Sequence, residues 1–214
     1  MALSIDYQRA ALLCLHFQND IVDEKGALAS AGFSTAAMVS KHDVLAKARR
    51  LLGAARSAGI KVFHVAVRFR PDYSDAPSSS PLLQACIGAK SLIDGTWGAD
   101  FESSMAPRDD EGIVINKATG AFTTSDLRDR LAPLGLKTLL LAGVATNFVV
   151  ESTAREGSDL GYEVVVLSDC CTSVSDEMHD AALRTSLPHL ATIVESEEVI
   201  SALSKTAKGA TAGL

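Results

Sequence analysis

The chain has 214 residues, 47% hydrophobic and 21% charged, a composition that suits one globular domain with a sizeable core better than two independent ones. A net charge of -6 and a pI near 5.3 argue against a general nucleic-acid or anionic-membrane binder. Met1 to Arg9 has no basic flank leading into an apolar run of signal length, and the longest apolar stretches are only of strand length, so a cytoplasmic protein with no membrane partner is expected.

Along the chain, apolar runs alternate with amphipathic stretches. Ala10 to Phe17 is short and almost wholly apolar, as in a strand buried on both faces. Ser40 and Asp43 loosely resemble a capping box. Val44, Leu45, Ala48, Leu51, Leu52 and Ala55 then recur at helical spacing, and Gly59 can supply a left-handed end. Ile60 to Val67 reads as the second strand. Arg68 to Arg108 breaks the rhythm with Pro71, Pro77, Pro81, the run Ser78 to Ser80, and Trp97. It is too long for a simple connection and suits a functional cover or a mobile segment, with a helical turn at Pro81 to Ile87. Strands follow at Gly112 to Asn116, Thr138 to Gly143, Tyr162 to Leu167 and Ala191 to Val194. Helices are expected at Ser125 to Leu131, Thr146 to Leu160, Asp176 to Leu187 and Glu197 to Ser204. Residues 205–214 are small and polar and are expected to fray.

This alternation predicts an α/β fold, a doubly wound, three-layer arrangement with a parallel sheet between helices, in one domain over 1–214. The cysteines Cys14, Cys86, Cys170 and Cys171 lack zinc-ribbon or CxxC spacing, so reduced thiols are expected, with no metal site and no cofactor. Open parallel sheets bind ligands beyond the carboxyl ends of their strands. The residues there are His16 and Phe17, Arg68 and Arg70, Lys117, and Gly143 to Asn147 opening a helix. A helix start offers free N–H groups to an oxyanion or carboxylate.

These segments carry a resemblance. Ala11 to Asp20 (ALLCLHFQND) is similar to the D-x-Q-N-D first-strand motif of isochorismatase-like hydrolases. Asn116 to Phe122 resembles the family's Lys segment, and Trp97-Gly98-Ala99 a stretch found before it. Gly143 to Ala154 (GVATNFVVESTA) resembles the nucleophile-loop motif G-x-x-T-N-x-C-V-x-x-T-A. The resemblance spans about Ala10 to Val199. It implies a six-stranded parallel sheet in the order 3-2-1-4-5-6, a homodimer or homotetramer, a small-molecule substrate, and a cis peptide at Val144-Ala145. The family's cysteine hydrolases use an Asp, a Lys and a Cys on amides and related C–N bonds; a second branch cleaves vinyl ethers with the Asp and no Cys.

Two of those three positions differ. His16 stands at the Asp and Val149 at the Cys, while Lys117 matches. Valine has no nucleophile, so acyl transfer to position 149 is chemically impossible. The expected machinery is therefore His16 as general base on water, made more acidic by Lys117, with the helix start near Phe148 and Val149 holding an oxyanion. The substrate is expected to be small and anionic. Arg68 and Arg70 are candidate anchors for its carboxylate, or surface charges beside the loop. Trp97 and Phe122 are candidate apolar walls, or core. Thr146 is a helix cap first and a ligand contact second. Asn147 presents an amide to the substrate or braces the loop. Gln18 and Asp20 support the site or anchor the loop. Cys14 and Cys171 read as buried and inert, and Cys86 as a loop thiol able to swing in. The alternative is a catalytically silent member that binds a small ligand or scaffolds an oligomer.

Overall fold

A computed structural model describes residues 5–77 and 79–211, with side chains as far as Ser204. The elements run β1 (Ala10–Leu15), α1 (Asn19–Val22), α2 (Ala27–Ser30), α3 (Thr35–Lys41), α4 (Val44–Ser57), β2 (Lys61–Val67), α5 (Pro81–Gly88), β3 (Gly112–Asn116), α6 (Leu127–Leu131), β4 (Thr138–Val144), α7 (Glu151–Asp159), β5 (Glu163–Thr172), α8 (Asp176–Arg184), β6 (Thr192–Val194) and α9 (Ser196–Thr211). The six strands pair in parallel in the order β3-β2-β1-β4-β5-β6.

Every residue of β1 is buried, because strand alternation sends its side chains into two separate cores. Leu12 and Cys14 join Leu51, Leu52 and Ala55 of α4 and Val199 and Leu203 of α9 on one face. Ala11, Leu13 and Leu15 join Leu127 and Leu131 of α6 and Ala154 of α7 on the other. Chain order runs outward in both directions from β1 and β4, so the topological switch point falls between the ends of these two strands.

Several boundaries differ from the sequence reading. The β5 strand runs to Thr172, not Leu167, with an irregularity in its pairing to β4 between Leu141 and Gly143. Asp43 does not close a capping box; it turns the corner between α3 and α4 in a left-handed conformation (φ 53°) with no side-chain capping bond. Gly59 does take the left-handed turn expected of it, at φ 71°. The helical backbone of α9 reaches Thr211, beyond the expected end at Ser204; residues 212–214 of the expected fraying tail lie outside the described residues. Among the described residues, no helix is long and apolar enough to cross a membrane.

The two central strands meet closely at the switch point. A Cβ added at Gly143 would lie 2.4 Å from the backbone oxygen of Leu15 and 2.5 Å from its Cβ. Neither atom is the free end of a flexible side chain, so one strand would have to shift. We expect Gly143→Ala to destabilise the fold by about 2 to 4 kcal/mol, lowering Tm by roughly 5 to 15 °C. Gly53→Ala, where the added Cβ meets nothing within 4 Å, is the control and should leave Tm unchanged or raise it. Parallel thermal unfolding of the two variants decides the point.

Candidate functional site

A cavity of about 80 Å³ opens at the switch point. The carboxyl ends of β1 and β4 form its floor through His16, Val144 and Ala145. Phe148 and Val149 come from the turn after β4, Leu28 and Thr35 from α2 and α3, and Phe33 from the connection between those helices. Leu82, Leu83, Cys86 and Leu92 of the long excursion close it. None of its lining residues is Lys, Arg, Asp or Glu. The peptide between Val144 and Ala145 is cis, at the position implied by the resemblance. The turn that follows is a π-turn over Thr146–Val150, with Val150 N–H reaching back to the Ala145 carbonyl at 3.3 Å.

His16 leaves β1 in a left-handed conformation, φ 59°, an uncommon one for a residue with a side chain. Its N–H holds the Val65 carbonyl at 2.9 Å, and its ring is buried at the cavity wall. Ring atom Nε2 lies 3.1 Å from Asn116 Oδ1. The Asn116 amide is oriented by its own donors, because Nδ2 donates to the Ala118 and Gly120 carbonyls at 2.8 and 2.9 Å. Its oxygen must then face His16, so Nε2 carries the imidazole proton and Nδ1 keeps a lone pair. Burial lowers the His16 pKa from 6.5 to about 4, against a smaller opposing effect of the Asn116 hydrogen bond. The imidazole is neutral at physiological pH, as expected, but burial and not Lys117 makes it so.

Lys117 turns away from the cavity. Its Nζ pairs with Asp75 Oδ2 at 2.7 Å and also donates to the Arg68 carbonyl. Burial raises the Asp75 carboxyl, but hydrogen bonds from Lys117 and from the Arg70 N–H outweigh it and hold the group below its usual range. The excursion therefore supplies its own counter-charge to the lysine that the family motif would pair with an acid at position 16.

The other expected contacts separate into two groups. Phe148 and Val149 line the cavity, but the Phe148 N–H is already directed at the Ala145 carbonyl, 3.2 Å away. The remaining six do not line it. Thr146 Oγ1 is bonded to His179 Nδ1 at 2.7 Å, and Asn147 Oδ1 accepts from the Ser173 hydroxyl, so Asn147 braces the loop. Arg68 reaches Asp94 at 3.4 Å and Asp100 at 3.8 Å, bordering the excursion as a surface charge. Arg70 is exposed and contributes its backbone N–H to Asp75. Trp97 is 50% exposed, and Phe122 stacks on Tyr162 in the core of the opposite face. No cation is thus offered to an anionic substrate in this cavity, contrary to expectation.

Gln18 and Asp20 prove to be loop anchors. Gln18 is fully buried; it donates to the Val67 and Ala99 carbonyls and accepts from the Val67 N–H, each at 2.8 Å. Asp20 accepts from the N–H groups of Ala27 at 2.8 Å and Leu92 at 2.7 Å. Gly98 sits directly against that carboxylate, where a Cβ would come within 2.2 Å of it.

The cysteines offer no displaced nucleophile. Burial pushes the Cys14 and Cys171 thiols up to about 12 and also raises that of Cys86. Cys86 does line the cavity, from α5. Sequence reasoning missed Asn116, Thr35 and Asp75. Asn116 directly precedes the Lys of a quoted motif, which was a usable signal; Thr35 and Asp75 carried none. Among the described residues, no three of His, Cys, Asp and Glu are grouped to hold a metal ion.

The Isochorismatase domain model matches residues 10–198. The isochorismatase family protein YecD of Escherichia coli O157:H7 is 30% identical, over 94% of this chain and 100% of its own. YwoC of Bacillus subtilis, from the same family, is 31% identical over 92% and 96%. The structure of an isochorismatase family protein from Burkholderia thailandensis superposes with a TM-score of 0.75 at 30% identity, covering 95% of this chain and 98% of that one. A cysteine hydrolase from Pseudomonas syringae pv. phaseolicola shares the fold at a TM-score of 0.82 and 24% identity, over 94% and 95%. With its three motifs, its strand order and a family model that spans most of its length, the chain belongs to the isochorismatase-like hydrolase family.

Proposed function

We propose that this chain is a hydrolase of small molecules that works without a protein nucleophile, with His16 as its base. The observation that carries this reading is the Asn116 amide, whose orientation puts the imidazole proton on Nε2 and leaves Nδ1 as a lone pair. In the proposed step, Nδ1 takes a proton from water as the water oxygen bonds to the electrophilic carbon of a C–N or C–O bond. The same proton then passes to the leaving nitrogen or oxygen as that bond breaks. Val149 contributes shape only. Lys117 takes no part in the chemistry; it ties Asp75 and the excursion to the end of β3.

Turnover of small uncharged esters and amides tests this. His16→Gln should lower kcat/KM by about 100-fold or more, while Lys117→Met should change it far less. The acid limb of the wild-type profile should lie near 4, where His16 takes up its proton, and not near 6.5. Equal losses in the two variants, or a limb near 6.5, would sink the mechanism.

A second reading, ligand binding without turnover, is favoured by the lack of charge in the cavity wall and by the engagement of Lys117 with Asp75. It predicts saturable binding with no hydrolysis in any variant.

The His16 shift also has a stability consequence. The folded state binds this proton less readily than an unfolded histidine of pKa 6.5. Stability is therefore unaffected by this group at high pH and falls as pH drops from 6.5 towards 4. His16→Gln should remove on the order of 3 kcal/mol of that acid loss. Urea unfolding of both proteins across this range measures it; identical acid slopes would show that His16 is not held neutral by the fold.

A further inference from the structure

Thr35, the first residue of α3, lines the same cavity as His16. It is 6% exposed, and its Oγ1 is buried without a hydrogen-bond partner on the protein. Buried hydroxyls are ordinarily paired. The hydroxyl therefore gives the cavity a buried, unpaired polar point besides His16; Thr119, partly exposed, and Cys86 also line a wall built mainly from apolar groups such as Ile21, Leu28, Phe33, Leu83 and Leu92.

We propose that the cavity binds a small uncharged molecule, an apolar body bearing a hydroxyl or amide group that hydrogen-bonds Thr35 Oγ1 and His16 Nδ1. This rests on the reading above only in taking this cavity as the ligand site. A carboxylate or ammonium would lose its water here and find no opposite charge, because the lining holds none and Lys117 is occupied by Asp75 outside it. A hydroxyl suits His16 and Thr35 together, since it donates to a lone pair such as Nδ1 and accepts from a threonine O–H. At about 80 Å³, with about 10 to 15 Å³ for each water-sized group, the cavity suits a body of roughly five to eight heavy atoms.

Four probes of one shape separate the possibilities: benzyl alcohol, toluene, benzoate and benzylammonium, titrated calorimetrically into the full chain near neutral pH. Benzyl alcohol should bind about tenfold or more tighter than either ion. It should also bind about fivefold tighter than toluene. Thr35→Val should reduce the preference for alcohol over toluene to about twofold while toluene still binds, and Thr35→Ser should restore it. The inference is overturned by equal or tighter binding of benzoate or benzylammonium, or by failure of all four probes to bind. It is equally overturned if the alcohol preference is undiminished in Thr35→Val, for then the hydroxyl serves only the fold or a structural water. Selective binding of the uncharged probes without hydrolysis of any ester or amide would leave this inference standing and remove the catalytic reading. His16-dependent hydrolysis confined to anionic substrates would do the reverse.

Discussion

The cavity depends on two side chains that follow β1. An excursion of the length of Arg68 to Arg108 carries many backbone polar groups and little regular structure in which to pair them, and such groups must be satisfied wherever they are buried. Gln18 acts as a stand-in for a strand, bonding Val67 by both its N–H and its carbonyl and holding the Ala99 carbonyl as well. Asp20 binds the Ala27 and Leu92 N–H groups, which joins the turn before α2 to the far side of the excursion. Leu82, Leu83, Cys86 and Leu92 can then sit over His16. The polar end of the motif thus determines the shape of an apolar chamber, and does so without facing it.

Charge is kept at the edge of that chamber. Lys117 with Asp75, and Arg68 with Asp94 and Asp100, tie the excursion to the strand ends and to itself. The Arg68 guanidinium also lies 5.9 Å from the centre of the Phe101 ring. Partly exposed pairs of this kind add little stability individually, although several on one segment restrict where it can move. Inside them the lining has no formal charge, and the one titratable nitrogen base, His16, is kept neutral by its burial. The rim thus binds charge to charge, and the interior offers a charged molecule no partner.

The sequence made the frame legible for a physical reason. Strands buried on both faces must be almost wholly apolar, and Ala10 to Leu15 and Thr138 to Val144 are, so their positions could be read directly. The switch-point site followed from topology, and His16, Phe148 and Val149 were placed at it by the motifs. What could not be read was the direction of long polar side chains. Lys117 occupies its motif position, yet its partner is Asp75, a residue in an irregular segment whose path no periodicity specifies. Phe122 is fixed by motif as well, but at its place in the loop it faces the α7 side, where it stacks on Tyr162. Thr35 was invisible because its significance is the lack of a partner, a property only of the assembled structure.

Three features of the site form one consistent set. An aspartate at position 16 would place a carboxylate in an apolar chamber, where only a nearby cation could stabilise it, and Lys117 is a cation at the end of β3, two strands from β1. With histidine there, the buried group is neutral and its single N–H is satisfied by Asn116, so the lysine has no counter-charge to face inward. Lys117 then gains more from Asp75 at the rim than it would from an uncharged cavity. A thiol at position 149 would have no cation beside it to stabilise a thiolate, so valine, which fills the wall at 2% exposure, is the better occupant. His16, Val149 and the Lys117–Asp75 pair are thus mutually consistent, each leaving the interior of the site without formal charge.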